Sequence, residues 1–140
     1  MLGDLRLVVE AVNRGSNPKL VREAANHPDP ALRYWAVIGL RKDASAAETI
    51  RKAQTDPSPV VRIAALAAGA MHQNDAAAIP KLAEELKNEN PYVRLHAAQA
   101  LDALGRRAEP AKAALNTALS DPNEYVKRVA EHALAVLTAA

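Results

Sequence analysis

Asp56-Pro57-Ser58-Pro59-Val60-Val61-Arg62-Ile63-Ala64-Ala65 is the stretch that decides the fold, because versions of it occur four times. His27-Pro28-Asp29-Pro30-Ala31-Leu32-Arg33-Tyr34-Trp35-Ala36 precedes it. Asn88-Glu89-Asn90-Pro91-Tyr92-Val93-Arg94-Leu95-His96-Ala97 and Asp121-Pro122-Asn123-Glu124-Tyr125-Val126-Lys127-Arg128-Val129-Ala130 follow. Each copy is a turn, a helix start and an apolar-basic pair, with a small residue three positions after the basic one. The anchors Leu32, Val61, Val93 and Val126 lie 29, 32 and 33 residues apart. Self-similarity at this period means stacked supersecondary units that bury a shared core.

Working outward, eleven residues before each anchor stand Val21, Ile50, Leu82 and Leu115, all apolar. Two residues before each anchor stand Pro30, Pro59, Pro91 and then Glu124. Proline suits the first helical position, where its missing N–H has no helical partner to lose. Each repeat therefore reads as a first helix, a turn and a second helix. The expected repeats are 16–42, 46–72, 76–105 and 109–138, behind a leading helix over 4–13 capped by Asp4. Gly105 stands where a left-handed residue closes a helix. The expected fold is all-α, one domain over 1–140: a right-handed α-solenoid of about four helix pairs plus the leading helix.

Composition agrees. The hydrophobic fraction is 49%, yet there is no Phe, one Trp and three Tyr. An Ala- and Leu-rich core suits closely packed helices and not the β-branched, aromatic strands of a sandwich. Lys and Arg number 18 against 16 Asp and Glu, for a net charge of +2. A nucleic-acid binder more often shows a clustered basic excess. No apolar run approaches the roughly 18 residues of a membrane span. Zero Cys removes disulfides, thiolate metal sites and Cys nucleophiles together. Met1-Leu2-Gly3-Asp4 does not lead from a charged segment into an apolar core, so no signal peptide is expected.

Asp/Asn-Pro followed by Val-Arg-x-x-Ala-x-x-Ala-Leu resembles the HEAT repeat, in the short form of phycobilisome-lyase-like proteins. Asn90-Pro91-Tyr92-Val93-Arg94-Leu95-His96-Ala97-Ala98-Gln99-Ala100-Leu101-Asp102 and the opening copy are also similar to the C-terminal HEAT extension of some secreted bacterial sulfatases. The first resemblance implies a scaffold that binds a protein partner. The second implies an accessory domain packed on its own catalytic domain. A chromophore lyase is a third implication. The chain itself lacks sulfatase chemistry: it has no Cys, and Ser58-Pro59-Val60-Val61-Arg62 has the wrong spacing for the nucleophile motif. It is expected in the cytoplasm if complete, and in the periplasm or outside the cell if it is a piece of an exported sulfatase.

The basic column Arg33, Arg62, Arg94, Lys127 invites phosphate binding. Six residues before each, however, stands His27, Asp56, Asn88 or Asp121. In HEAT families such positions form a ladder joining successive turns, so Asp56, Arg62, Arg33, Arg94, Asp121 and Lys127 are read as structural. At 100° per residue, the second helices turn Tyr34, Val37, Ile38 and Arg41 away from Leu32, Ala36, Gly39 and Leu40. The recognition face, concave in HEAT solenoids, is therefore expected at Tyr34, Ile38, Arg41, Ile63, Leu66, Leu95, Gln99, Arg128 and His132. Either this face meets a partner, or the solenoid's curvature or an upstream segment covers it. Trp35 is read as packing. His27, His72, His96 and His132 fall at different repeat positions and none precedes Glu, so neither a metal nor a cofactor is expected. No triad, paired carboxylates or phosphate loop stands out, which makes an enzyme the lesser reading.

Overall fold

The computed structural model describes residues 2–139, with side chains from residue 4 onward. Among them every regular element is helical, and the chain divides into two compact units, Met1–Asn74 and Asp75–Ala140.

The first unit holds α1 (Leu2–Arg14), α2 (Pro18–Ala24), α3 (Pro30–Leu40), α4 (Ala47–Ala53, led in by a 3-10 turn at Ala44–Ala46) and α5 (Pro59–His72). Helix α1 begins before Asp4, which lies in its first turn instead of capping it. Helices α1, α3 and α5 pack side by side in one row, while α2 and α4 flank them in a second. Buried Val21, Val37, Leu40, Ile50, Val61 and Ala65 form one core cluster, and Val8, Ala24, Leu32 and Ala36 another. Val37 is therefore core, not part of an outer face. Trp35 packs against the second cluster and meets Tyr34 edge-to-face at 5.7 Å. Gly39 explains how closely α3 approaches its neighbours. A Cβ there would stand 2.8 Å from both Val12 Cγ2 and Val21 Cγ1, inside van der Waals contact.

The second unit holds α6 (Ala78–Glu85), α7 (Pro91–Ala103), a 3-10 segment at Gly105–Ala111, α8 (Lys112–Ala118) and α9 (Glu124–Thr138). Here α7 packs on α9, with α6 and α8 in the flanking row. Leu82, Leu101, Leu115 and Val126 are the large side chains sealed in this core. Gly105 takes φ +59°, as its place after α7 predicts. The expected opening of the fourth repeat at residue 109 instead falls inside the 3-10 segment, and α8 begins at Lys112.

The second helices of the four pairs are α3, α5, α7 and α9, and each starts from the same turn. His27 Nδ1 accepts the Asp29 N–H at 2.9 Å, Asp56 Oδ1 that of Ser58 at 2.8 Å, Asn88 Oδ1 that of Asn90 at 2.9 Å, and Asp121 Oδ1 that of Asn123 at 2.8 Å. Asp29, Asn90 and Asn123 then cap their helices by accepting from the residue two further on. This is the Asx-turn and N-cap chemistry for which short polar side chains are suited.

Candidate functional site

The basic column clamps these turns. Arg33 Nη1 donates to the carbonyls of His27 (3.0 Å) and Pro28 (2.7 Å). Arg62 Nη1 donates to that of Asp56 (3.1 Å), and Arg94 Nη1 to those of Asn88 (2.9 Å) and Glu89 (3.1 Å). The six-residue spacing is thus a contact from guanidinium to backbone. The carboxylate is reached by the arginine one repeat earlier. Arg33 donates from Nε and Nη2 to the two Asp56 oxygens at 2.8 and 3.0 Å. Arg94 does the same to Asp121 at 2.8 and 3.1 Å. These bidentate forks carry directional charge-assisted bonds, and both are shielded: Arg33 and Asp56 are 18% and 9% exposed, Arg94 and Asp121 14% and 7%. Lys127 has no side-chain partner among the described residues.

Burial would raise the pKa of Asp56, but the Arg33 hydrogen bonds, the Ser58 N–H and the charges of Arg33 and Arg62 outweigh it and hold it below its ordinary value. Asp121 is depressed in the same way: burial opposes, while Arg94 and the Asn123 N–H prevail. The Asp56 hydrogen bond raises Arg33, against its own burial. Both guanidiniums are committed to their turns and rungs, which leaves little to offer a phosphate.

The nine residues assigned to a recognition face do not share one environment. Leu66 is 1% exposed and Ile63 6%, so both are core and leave the candidate face. The physical reason is that α5 is apolar all round, with Val61, Ile63, Ala65, Leu66, Ala68, Gly69 and Ala70 buried, and such a helix lies inside a protein. Tyr34 and Ile38 on α3 and Arg41 just after it are half-buried, and Tyr34 packs against the first core cluster. In the second unit Leu95 is half-buried, while Gln99 on α7 and Arg128 and His132 on α9 are exposed. His132 Nδ1 lies 2.7 Å from Asp102 Oδ1, tying α9 to α7 across this face.

Two residues escaped the sequence argument. Tyr92 is 73% exposed and Tyr125 66%, each immediately before its repeat's anchor. Tyr92, His96, Gln99 and Ala103 form the exposed stripe of α7, at i, i+4, i+7 and i+11. Tyr125, Arg128, His132 and Ala135 lie along the exposed side of α9. The signal was available in Pro91-Tyr92-Val93-Arg94 against Glu124-Tyr125-Val126-Lys127: one aromatic position repeats in the two copies of the second unit only.

Among the described residues no His, Asp and Glu gather into a group of three or more able to hold a metal. Among the described residues no helix is long and apolar enough to cross a membrane.

Successive helix pairs that share the same turn, with a side-chain cap in three of them and an arginine clamp in three, define an α-helical repeat protein of the solenoid class. The family model for HEAT repeats matches residues 17–84 and again 47–135, and the chain belongs to that family. No curated protein matches it. HEAT repeats generally mediate protein–protein interaction and are typically non-catalytic.

Proposed function

We propose that the protein is a non-catalytic interaction module that grips a protein partner through the second-helix face of its second unit. The observation that carries this is the pair of exposed tyrosines, Tyr92 and Tyr125, at one repeat position of two packed helices. Tyrosine and arginine dominate the energetic centres of protein interfaces, and Arg128, His132 and Gln99 frame the pair. An exposed aromatic in the first turn of a helix does nothing for stacking, since the core is closed by Val93 and Val126 beneath it. Tyrosine brings large contact area with only two side-chain torsions to freeze on binding. The half-buried Leu95 of α7 adds less to this surface, because less of it is available.

Photo-crosslinking amino acids at positions 92, 125 and 99 test the reading, with exposed Glu23 and Asn116 on first helices as controls. The expected result is a discrete adduct from the first three positions and none from the controls. Tyr92→Ala with Tyr125→Ala should abolish capture of that partner while the thermal melt stays within a few degrees. An adduct confined to the control positions, or capture indifferent to both substitutions, overturns the proposal.

A further inference from the structure

The first unit carries a groove of about 880 Å³ between its two first helices, α2 and α4, above the Arg33–Asp56 rung. The second unit has the equivalent groove, about 340 Å³, between α6 and α8 beside Asp121. Counted from the anchors, the same repeat positions line both, so the pair acts as an internal control. Arg22, Asn26, Thr49 and Lys52 in the first groove correspond to Ala83, Lys87, Ala114 and Thr117 in the second. Alanine at two of these positions shows that stacking a repeat does not demand charged or polar groups there.

The first groove is rich in unspent donors. Lys52 Nζ and the Asn26 amide have no side-chain partner among the described residues. Arg22 is held by one nitrogen only, Nη2 donating to Asp43 Oδ2 and Ser45 Oγ at 3.2 Å each, which leaves Nε and Nη1 available. His27 accepts a backbone N–H at Nδ1, so its neutral ring carries the proton on Nε2 and presents a further donor. The acidic lining residues are already engaged: Asp56 by Arg33, and Glu48 by Arg51 at 2.7 Å. The volume lies in the range of about 300–1,000 Å³ typical of ligand sites.

From this we infer that the first-unit groove is a second binding site, separate from the tyrosine face, which takes an acidic peptide segment with its carboxylates on Lys52, Arg22 and the His27 Nε2–H. A peptide suits an open groove of mixed polar and apolar surface that runs between two helices. A carboxylate matches the small positive excess better than a dianion, because Arg33 is already spent on Asp56.

Fluorescence anisotropy with a labelled hexaglutamate peptide tests it on the full chain, with hexaglutamine and inorganic phosphate as comparison probes. Hexaglutamate should bind, hexaglutamine should not, and phosphate in equal concentration should not displace it. Lys52→Glu, at an exposed residue whose ammonium has no hydrogen-bond or ion-pair partner among the described residues, should weaken binding about tenfold or more, as one lost attraction plus a new repulsion implies. Arg22→Ala should weaken it less, and Thr117→Lys with Ala83→Arg should add affinity at the second groove. Hexaglutamate that does not bind, that binds Lys52→Glu unchanged, or that gives way to phosphate overturns the inference. Tyr92→Ala with Tyr125→Ala leaves this binding intact, so the two sites fail separately.

Discussion

Asp56→Ala removes two things at once, and Asp56→Asn separates them. The aspartate accepts both forks of Arg33 and the N–H of Ser58. Breaking a buried ion pair by deleting one partner costs about 3–5 kcal/mol. Here Arg33 is 18% exposed and keeps its bonds to the His27 and Pro28 carbonyls, which brings the loss down to about 2–3 kcal/mol. The orphaned Ser58 N–H adds about 1 kcal/mol. Asp56→Ala should therefore destabilise by about 3–4 kcal/mol. Asparagine keeps an oxygen for Ser58, as Asn88 does for Asn90 in the third repeat, and leaves Arg33 a neutral acceptor. Its expected loss is about 1–2 kcal/mol.

Urea unfolding followed by far-UV circular dichroism reads the difference. With a slope of about 2 kcal/mol per molar, the midpoint should fall by about 1.5–2 M for the alanine variant and by about half a molar to 1 M for asparagine. Arg33→Ala, alone and combined with Asp56→Ala, closes a double-mutant cycle whose coupling should be about 1–3 kcal/mol. An alanine variant within about 0.5 kcal/mol of the parent would refute the rung as a stabilising element. Equal losses for alanine and asparagine would refute the turn's share.

Two further outcomes follow, one from the carboxylate contacts and one from burial in α5. Asp56 and Asp121 both have depressed pKa values in the folded protein, so the unfolded chain takes up protons first. Their stabilisation is present above the unfolded value of about 3.9 and is lost as pH falls through the lower folded values. Thermal melts across acidic pH should show Asp56→Asn/Asp121→Asn less stable at neutrality but flatter on the acid side than the parent. The residual slope should belong to Asp43, which its hydrogen bonds from Ser45 and Arg22 also depress. Leu66→Ala should cost about 3 kcal/mol as a core cavity, against under about 0.5 kcal/mol for exposed Gln99→Ala; a reversal in urea melts would return Leu66 to the surface.

The four-fold period, the proline-started second helices and the left-handed Gly105 were all legible in the sequence, because each is decided within a few residues. Helix α5 runs from Pro59 to His72 as its pattern predicts. What was not legible is long-range. The spacing of six between Asp56 and Arg62 correctly marks a clamp, but onto a carbonyl. The carboxylate's own partner sits 23 residues earlier, and that of Asp121 27 residues earlier. A local spacing does not reveal which repeat supplies the other half of a pair. Burial of Ile63 and Leu66 was missed for a related reason. A helical projection divides a helix into two sides, yet it does not say how many sides have neighbours, and α5 is packed on more than one.

The same distinction moves the recognition argument from one column of the repeat to another. The column two residues after the anchor, Tyr34, Ile63, Leu95 and Arg128, is in turn half-buried, buried, half-buried and exposed. Its environment depends on what each helix packs against. The column immediately before the anchor holds Ala31, Val60, Tyr92 and Tyr125, and its three larger members are 52%, 73% and 66% exposed. This position follows the helix-opening Pro or Glu and precedes the sealed anchor. The cap's hydrogen bonds fix its backbone in α3, α7 and α9, and its three larger side chains stand exposed. Stacking therefore sets no requirement on what stands there, and the choice between alanine, valine and tyrosine is left to whatever the surface meets. Tyrosine at this column in α7 and α9 alone is why the proposed partner-binding role is assigned to the second unit.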